Sequence, residues 1–211
     1  MIDTTFLITA FVTMFVVIDP IGLAPLFVAL TQGMSAPARR KIAFRSCGVA
    51  IMLLVVFAVL GEAVLDFIGI SMAAFRISGG VLLFITALDM LFERRTKRRE
   101  DKTEDEDHSD DPSVFPLAIP LIAGPGAIAS VILLTGQRPG VEGLAMVLGV
   151  TAAVVVLVML LFLASGLIEK ALGKTGITVV TRILGMLLAA LSVQFILDGL
   201  RDFSLVATSG G

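Results

Sequence analysis

The sequence predicts an all-α polytopic membrane protein, with six transmembrane helices arranged as two inverted three-helix repeats, each opening on a broken helix. Three observations carry this. Hydrophobic residues make up 57% of the chain and mean hydropathy is +1.01, against roughly 45–50% apolar residues in a soluble domain. Charged residues are gathered rather than spread, many of them between Glu93 and Asp111. The remaining apolar stretches each reach the roughly 20 residues a helix needs to cross a bilayer core.

The first span is Phe6–Leu30; Met1 to Pro20 contains Asp3 and Asp19 but no Lys or Arg, so it lacks the basic start of a signal peptide. The second, Ile42–Leu65, holds Cys47, the only cysteine, read as a small buried hydrophobe that allows no intrachain disulfide. The third and fourth are Ser71–Phe92 and Val114–Thr135, and the fifth and sixth are Val141–Ile168 and Ile177–Leu200. The apolar runs are continuous and lack the period of two of barrel strands. Hydrocarbon cannot hydrate peptide groups, so such runs cross as helices. The chain reads as one membrane domain, 1–211, with 1–92 as first repeat, 93–113 as a charged linker and 114–203 as second repeat.

Orientation follows from the basic residues of the short connections. Thr31–Lys41, Glu93–Ser113 and Glu169–Gly176 share one side and carry eleven Lys and Arg residues, against two, Arg138 and Arg201, on the other. The basic side is expected to be cytoplasmic, with both termini periplasmic or extracellular. Within the linker, Arg94–Arg99 suits anionic headgroups. The acidic run from Glu100 to Asp111, with the lone His108, lacks the glycine and final glutamate of a calcium loop and reads as solvated linker.

Two motifs recur in order. The first span contains Asp19-Pro20-Ile21-Gly22-Leu23-Ala24-Pro25 and the fourth contains Pro120-Leu121-Ile122-Ala123-Gly124-Pro125-Gly126. Arg76-Ile77-Ser78-Gly79 in the third is echoed by Arg182-Ile183-Leu184-Gly185 in the sixth. Three spans per half is an odd number, so the halves enter from opposite sides, an arrangement common among secondary transporters. A proline in a helix interior costs about 3 kcal/mol and a hydrogen bond, so each proline pair should interrupt its helix. Irregular backbone near mid-membrane is tolerated only against protein or a water-filled cavity.

The expected substrate-binding residues are therefore Asp19, Pro20, Gly22, Pro25, Pro120, Gly124, Pro125 and Gly126, with Arg76 and Arg182 as gate elements or anion contacts. Each has a plainer reading. Asp-Pro is a favoured helix start, with aspartate as cap, and an arginine about six residues inside a span snorkels easily. Asp89 and Asp198 are expected at the interfaces. Thr86, Ser192 and Gln194 are candidates for interhelical hydrogen bonds, and Gly79, Gly80 and Gly185 for close helix packing.

These strings resemble the MarC family of bacterial inner-membrane proteins. The carriers are Asp19-Pro20-x-Gly22-x-x-Pro25, the run Ile119 to Ile128, and the Arg-x-x-Gly pairs, over residues 3 to 203. The resemblance implies six spans, an inner-membrane location and kinship with LysE-like exporters, with no assigned substrate.

The functional expectation is a secondary transporter exporting a small polar or charged solute or ion, with a non-transporting scaffold or lipid-interacting protein as the alternative. No enzyme is expected: the sequence has no Cys-His pair, HExxH or Gly-x-Ser-x-Gly, and no phosphate loop for a pump. No cofactor, metal site or nucleic-acid partner is implied, the lipid bilayer is the one partner composition demands, and a homo-oligomer is compatible with it.

Overall fold

The computed structural model describes residues 4–92 and 112–209, so the linker readings at Glu93–Asp111 lie outside the described residues. Among the described residues the regular structure is helical throughout: α1 (Thr4–Ile18), α2 (Pro20–Leu30), α3 (Ala36–Ile68), α4 (Met72–Leu91), the irregular π-type α5 (Ser113–Ile122), α6 (Pro125–Gln137), α7 (Val141–Leu163) and α8 (Ser165–Ser209). Five helical stretches are long and apolar enough to cross a membrane. A sixth exists if α5 and α6, bent by 53° at their break, count as one span.

The helices sort by what they face. In Thr4–Leu30, 56% of the most apolar window is buried inside the protein, against 28% in α3, so α1 and α2 are central and α3 is peripheral. Phe44, Met52, Val59, Leu60 and Val64 of α3 are exposed, an apolar face suited to lipid tails. At 33 residues, α3 is about 50 Å long at 1.5 Å per residue. That exceeds a hydrocarbon core of about 30 Å, and the excess carries Arg39, Arg40 and Lys41 at its start. Gly69, in the left-handed conformation (φ 82), ends it, with the Ile70 N–H returning to the Leu65 carbonyl.

Helices α4 and α8 run antiparallel with their backbones close. A Cβ on Gly80 would lie 2.8 Å from the Ser192 carbonyl oxygen, one on Gly199 3.0 Å from that of Ala73, and one on Gly185 3.2 Å from that of Ala87. Small residues substitute for a hydrophobic driving force between helices in lipid, because close approach maximises dispersion contacts. Arg76 lies at one end of this seam, buried and ion-paired with Asp202. It does not snorkel freely.

One local expectation is corrected. Thr86 and Ser192 donate within their own helices, to the Leu82 carbonyl (2.9 Å) and the Ala189 carbonyl (2.7 Å), and Gln194 donates to Asp198 one turn on. A hydroxyl on a helix has a carbonyl three or four residues back already in reach, so it needs no neighbouring helix. Asp89, two residues before the end of α4, is buried against protein. The sixth span begins within α8, whose backbone breaks at Gly173 (φ 60), leaving Thr175–Phe203 as the apolar stretch.

The seam makes a direct prediction. Gly80→Val pushes a branched side chain onto the Ser192 carbonyl and the Ile196 side chain. It should cost about 1–3 kcal/mol, or more where the backbone cannot yield. Gly48→Ala, on a face with nothing within 4 Å of the added carbon, should be neutral. Melting temperatures of the detergent-solubilised variants check both.

Candidate functional site: two helix breaks that meet

The first break is one residue wide. Asp19 adopts the left-handed conformation (φ 57, ψ 63) between α1 and α2, and it is 1% exposed. Its N–H still bonds the Phe15 carbonyl (2.9 Å), and its own carbonyl accepts from Leu23 (3.0 Å). Pro20 follows as the first residue of α2 and has no N–H to give, so the Val16 carbonyl loses its ordinary partner. The carboxylate takes up another loose end: Oδ1 accepts from the Gly22 N–H at 3.1 Å. A Cβ on Gly22 would sit 2.2 Å from Oδ2, so glycine is what leaves the carboxylate its place. The capping role of Asp19 is therefore observed, and it occurs deep inside the protein. Pro25 lies inside α2 without breaking it. Thr4–Leu30 stays one continuous span, so the interruption expected of both prolines is the work of Asp19 and Pro20 alone.

The second break is wider. Phe115 and Ile119 are extended, each before a cis-proline, Pro116 and Pro120. The Leu117 and Ala123 N–H groups reach five residues back, to the Pro112 and Ala118 carbonyls (3.2 and 2.9 Å). Gly124 then caps α6 and, being glycine, brings no side-chain acceptor of its own. A Cβ there would lie 2.5 Å from the Pro120 carbonyl oxygen. Pro125 is exposed, while Pro120, Gly124 and Gly126 are half-buried.

The breaks adjoin. A Cβ on Gly126 would come 3.1 Å from Val17 Cγ1, two residues before Asp19, and 3.9 Å from Thr86 Oγ1 of α4. The starts of α2 and α6 thus lie around one small region, each with the partial positive charge of a helix N-terminus. That of α2 is answered by its own carboxylate, and that of α6 has no side-chain cap. The arginines stand apart: Arg76 is on the α4–α8 seam, and Arg182 is exposed, three residues before the Gly185 contact toward the other end of that seam.

Several polar groups were not singled out by sequence. Asp202 holds Arg76. The hydroxyls of Thr13, Ser130 and Thr151 are buried with no hydrogen-bond partner among the described residues. Their signal, a lone hydroxyl in an apolar run, is shared by residues that merely bond their own helix. Arg39, which stacks 5.7 Å over Phe27 and donates to Ser165 (3.2 Å), read only as orientation charge.

With this geometry described, comparison with known proteins is informative. A family model described as "MarC family integral membrane protein" matches residues 4–204. The chain belongs to the MarC family. Among curated relatives, a UPF0056 membrane protein of Archaeoglobus fulgidus is 38% identical over 94% of this chain and 93% of its own length. The Bacillus subtilis UPF0056 membrane protein YvbG is 35% identical over 97% and 99%, and the Escherichia coli UPF0056 inner membrane protein YhgN 32% over 92% and 96%. No solved structure matches. The names of these MarC relatives place them in membranes and assign no activity.

The cap generates a prediction. Asp19→Asn keeps an oxygen acceptor and a side chain that tolerates the left-handed conformation, and should hold stability within about 0.5 kcal/mol. Asp19→Ala loses both and should cost about 1–2 kcal/mol. Denaturation midpoints in mild detergent distinguish the two.

Proposed function

We propose that this MarC-family protein is a secondary transporter, an exporter of a small polar or charged solute, whose site is built by the two adjoining helix breaks. The observation that carries the reading is the contact of Gly126 with Val17. It joins, inside one bundle, two stretches of irregular backbone that lie about 100 positions apart in sequence. Paired discontinuous helices at repeat interfaces are how secondary transporters expose backbone charge to a solute. Asp19 supplies a buried carboxylate for a cationic group or coupling ion. The uncapped start of α6 supplies N–H groups for an anionic one.

On this reading the halves, 1–92 and 114–203, are inverted repeats that rock about the breaks, and the α4–α8 seam is the surface they share. The repeated motifs and the antiparallel pairing of α4 with α8 support it. So does the charge bias, on which reading the linker is cytoplasmic and both termini lie outside, in a bacterial inner membrane as named for the Escherichia coli relative. Nothing in this mechanism calls for covalent catalysis, and the protein is read as non-enzymatic.

The test is efflux from proteoliposomes loaded with a mixed pool of radiolabelled small polar metabolites. Asp19→Asn, which keeps the cap, and Pro125→Ala should each lower efflux at least about tenfold while the melting temperature holds. Retained efflux in both variants removes the site. In a Cys47→Ser background, single cysteines at positions 19–25 and 120–127 should react with water-soluble thiol reagents from at least one side. Uniform protection favours the scaffold alternative.

A further inference from the structure

Helices α1 and α6 are antiparallel, and two contacts fix their register. Val17 lies against Gly126, and the Arg138 guanidinium lies 5.6 Å from the centroid of the Phe6 ring. Moving one turn from the first contact toward the second reaches Thr13 on α1 and Ser130 on α6, each four residues along and so on the same face as the residue that makes the contact. Both residues are 0% exposed. Both hydroxyls lack any hydrogen-bond partner among the described residues, including each other.

This is unusual for helix hydroxyls, which ordinarily return to a carbonyl three or four residues back, as Thr31, Thr86, Thr135 and Ser192 do here. An unpaired buried hydroxyl has given up its bonds to water and received none in return. Two at one level on facing helices, a turn from the helix breaks, mark a place where a hydrogen-bonding occupant belongs.

The charges around the pair decide what kind of occupant. On these two helices the nearest ionisable groups are Asp19, about 9 Å along α1 from Thr13, and Arg138, about 12 Å along α6 from Ser130. Asp19 is engaged with the Gly22 N–H, and Arg138 stacks on Phe6. From the packed neighbours, Arg76 of α4 is paired with Asp202, Asp89 of α4 lies beyond Thr86, away from this level, and Glu62 of α3 is exposed on the outer side. Neither hydroxyl is bonded to a charged side chain, and burying an ion without a bonded counter-charge is costly. A neutral polar group costs far less, because each hydroxyl both donates and accepts.

We propose that Thr13 and Ser130 form a neutral polar station of the solute site, one helical turn below the breaks, where an uncharged hydroxyl- or amide-like group of the solute is hydrogen-bonded. The proposal rests on the transporter reading and adds to it. The breaks meet the charged part of a solute and this pair meets its neutral part, so the preferred solute class carries both.

The experiment is thiol modification in the full-length Cys47→Ser protein in nanodiscs, with Thr13→Cys and Ser130→Cys singly. Two probes are used, the small neutral reagent methyl methanethiosulfonate and its trimethylammonium-ethyl analogue. Each rate is divided by the rate on the same variant unfolded in SDS. Both substitutions are close to isosteric, and a melting temperature confirms folding. The neutral reagent should modify both positions, with the cationic reagent at least about tenfold slower. If neither reagent reacts at 13 or 130 while positions 19–25 do, the seam is dry; this proposal falls and the transporter reading stands. If the cation reacts as fast as the neutral reagent, the station is not selective for neutral groups and the proposal falls. If the break positions are also protected, both readings fall.

Discussion

A peptide group in hydrocarbon has no water to turn to, and each one left unsatisfied costs several kcal/mol. The protein departs from regular helix at two places in its apolar interior, and at both the loose ends are taken up locally. At Asp19 a side chain does part of it: the carboxylate accepts from the Gly22 N–H at the start of α2. At Ser113–Ile122 the backbone does it, as N–H groups whose usual arrangement the prolines spoil reach one residue further back. Asp19 is buried accordingly, whereas Phe115, Ile119 and Pro125 at the second break are exposed.

The two breaks share Pro-x4-Pro and differ in shape, and the difference traces to one position. The residue before the first proline is Asp19, and its counterpart before Pro120 is Ile119. Aspartate tolerates the left-handed conformation and can cap the helix that follows, so α1 passes into α2 with a one-residue interruption. A β-branched isoleucine does not adopt that conformation and brings no acceptor. Ile119 is extended (φ −126, ψ 123), α6 starts afresh at Gly124, and the pair is bent by 53°. A repeat in sequence has thus become one kinked span carrying a carboxylate and one bent span with an open helix start.

Packing around the breaks relies on small residues rather than on large complementary ones. Gly126 lets α6 reach Val17, Gly61 accepts Ile132 of α6 against α3, and Gly79 and Gly80 let α4 approach α6 and α8. Close backbones leave little room for side chains at these levels, which is why the few polar side chains there are conspicuous. Larger side chains collect where the bundle closes, as with Phe27 stacked on Phe162 at 4.4 Å beneath Arg39.

Composition and run length alone determined that the chain crosses a membrane as helices, roughly where it does so, and that Asp19-Pro20 starts a helix within a span. These are local matters, governed by the solvation of peptide groups and by the conformations that proline and aspartate allow. The glycines expected to permit close packing do so, because the absence of a side chain is itself a local property. Which groups meet was beyond reach. Arg76 finds Asp202 across 126 positions, Gly126 settles on Val17, Thr86 and Ser192 turn back to their own helices, and the Thr13 and Ser130 hydroxyls are buried without a partner among the described residues. Helix register and facing are set by many weak contacts summed over whole surfaces, and no single residue or spacing encodes that sum; only the folded bundle decides it.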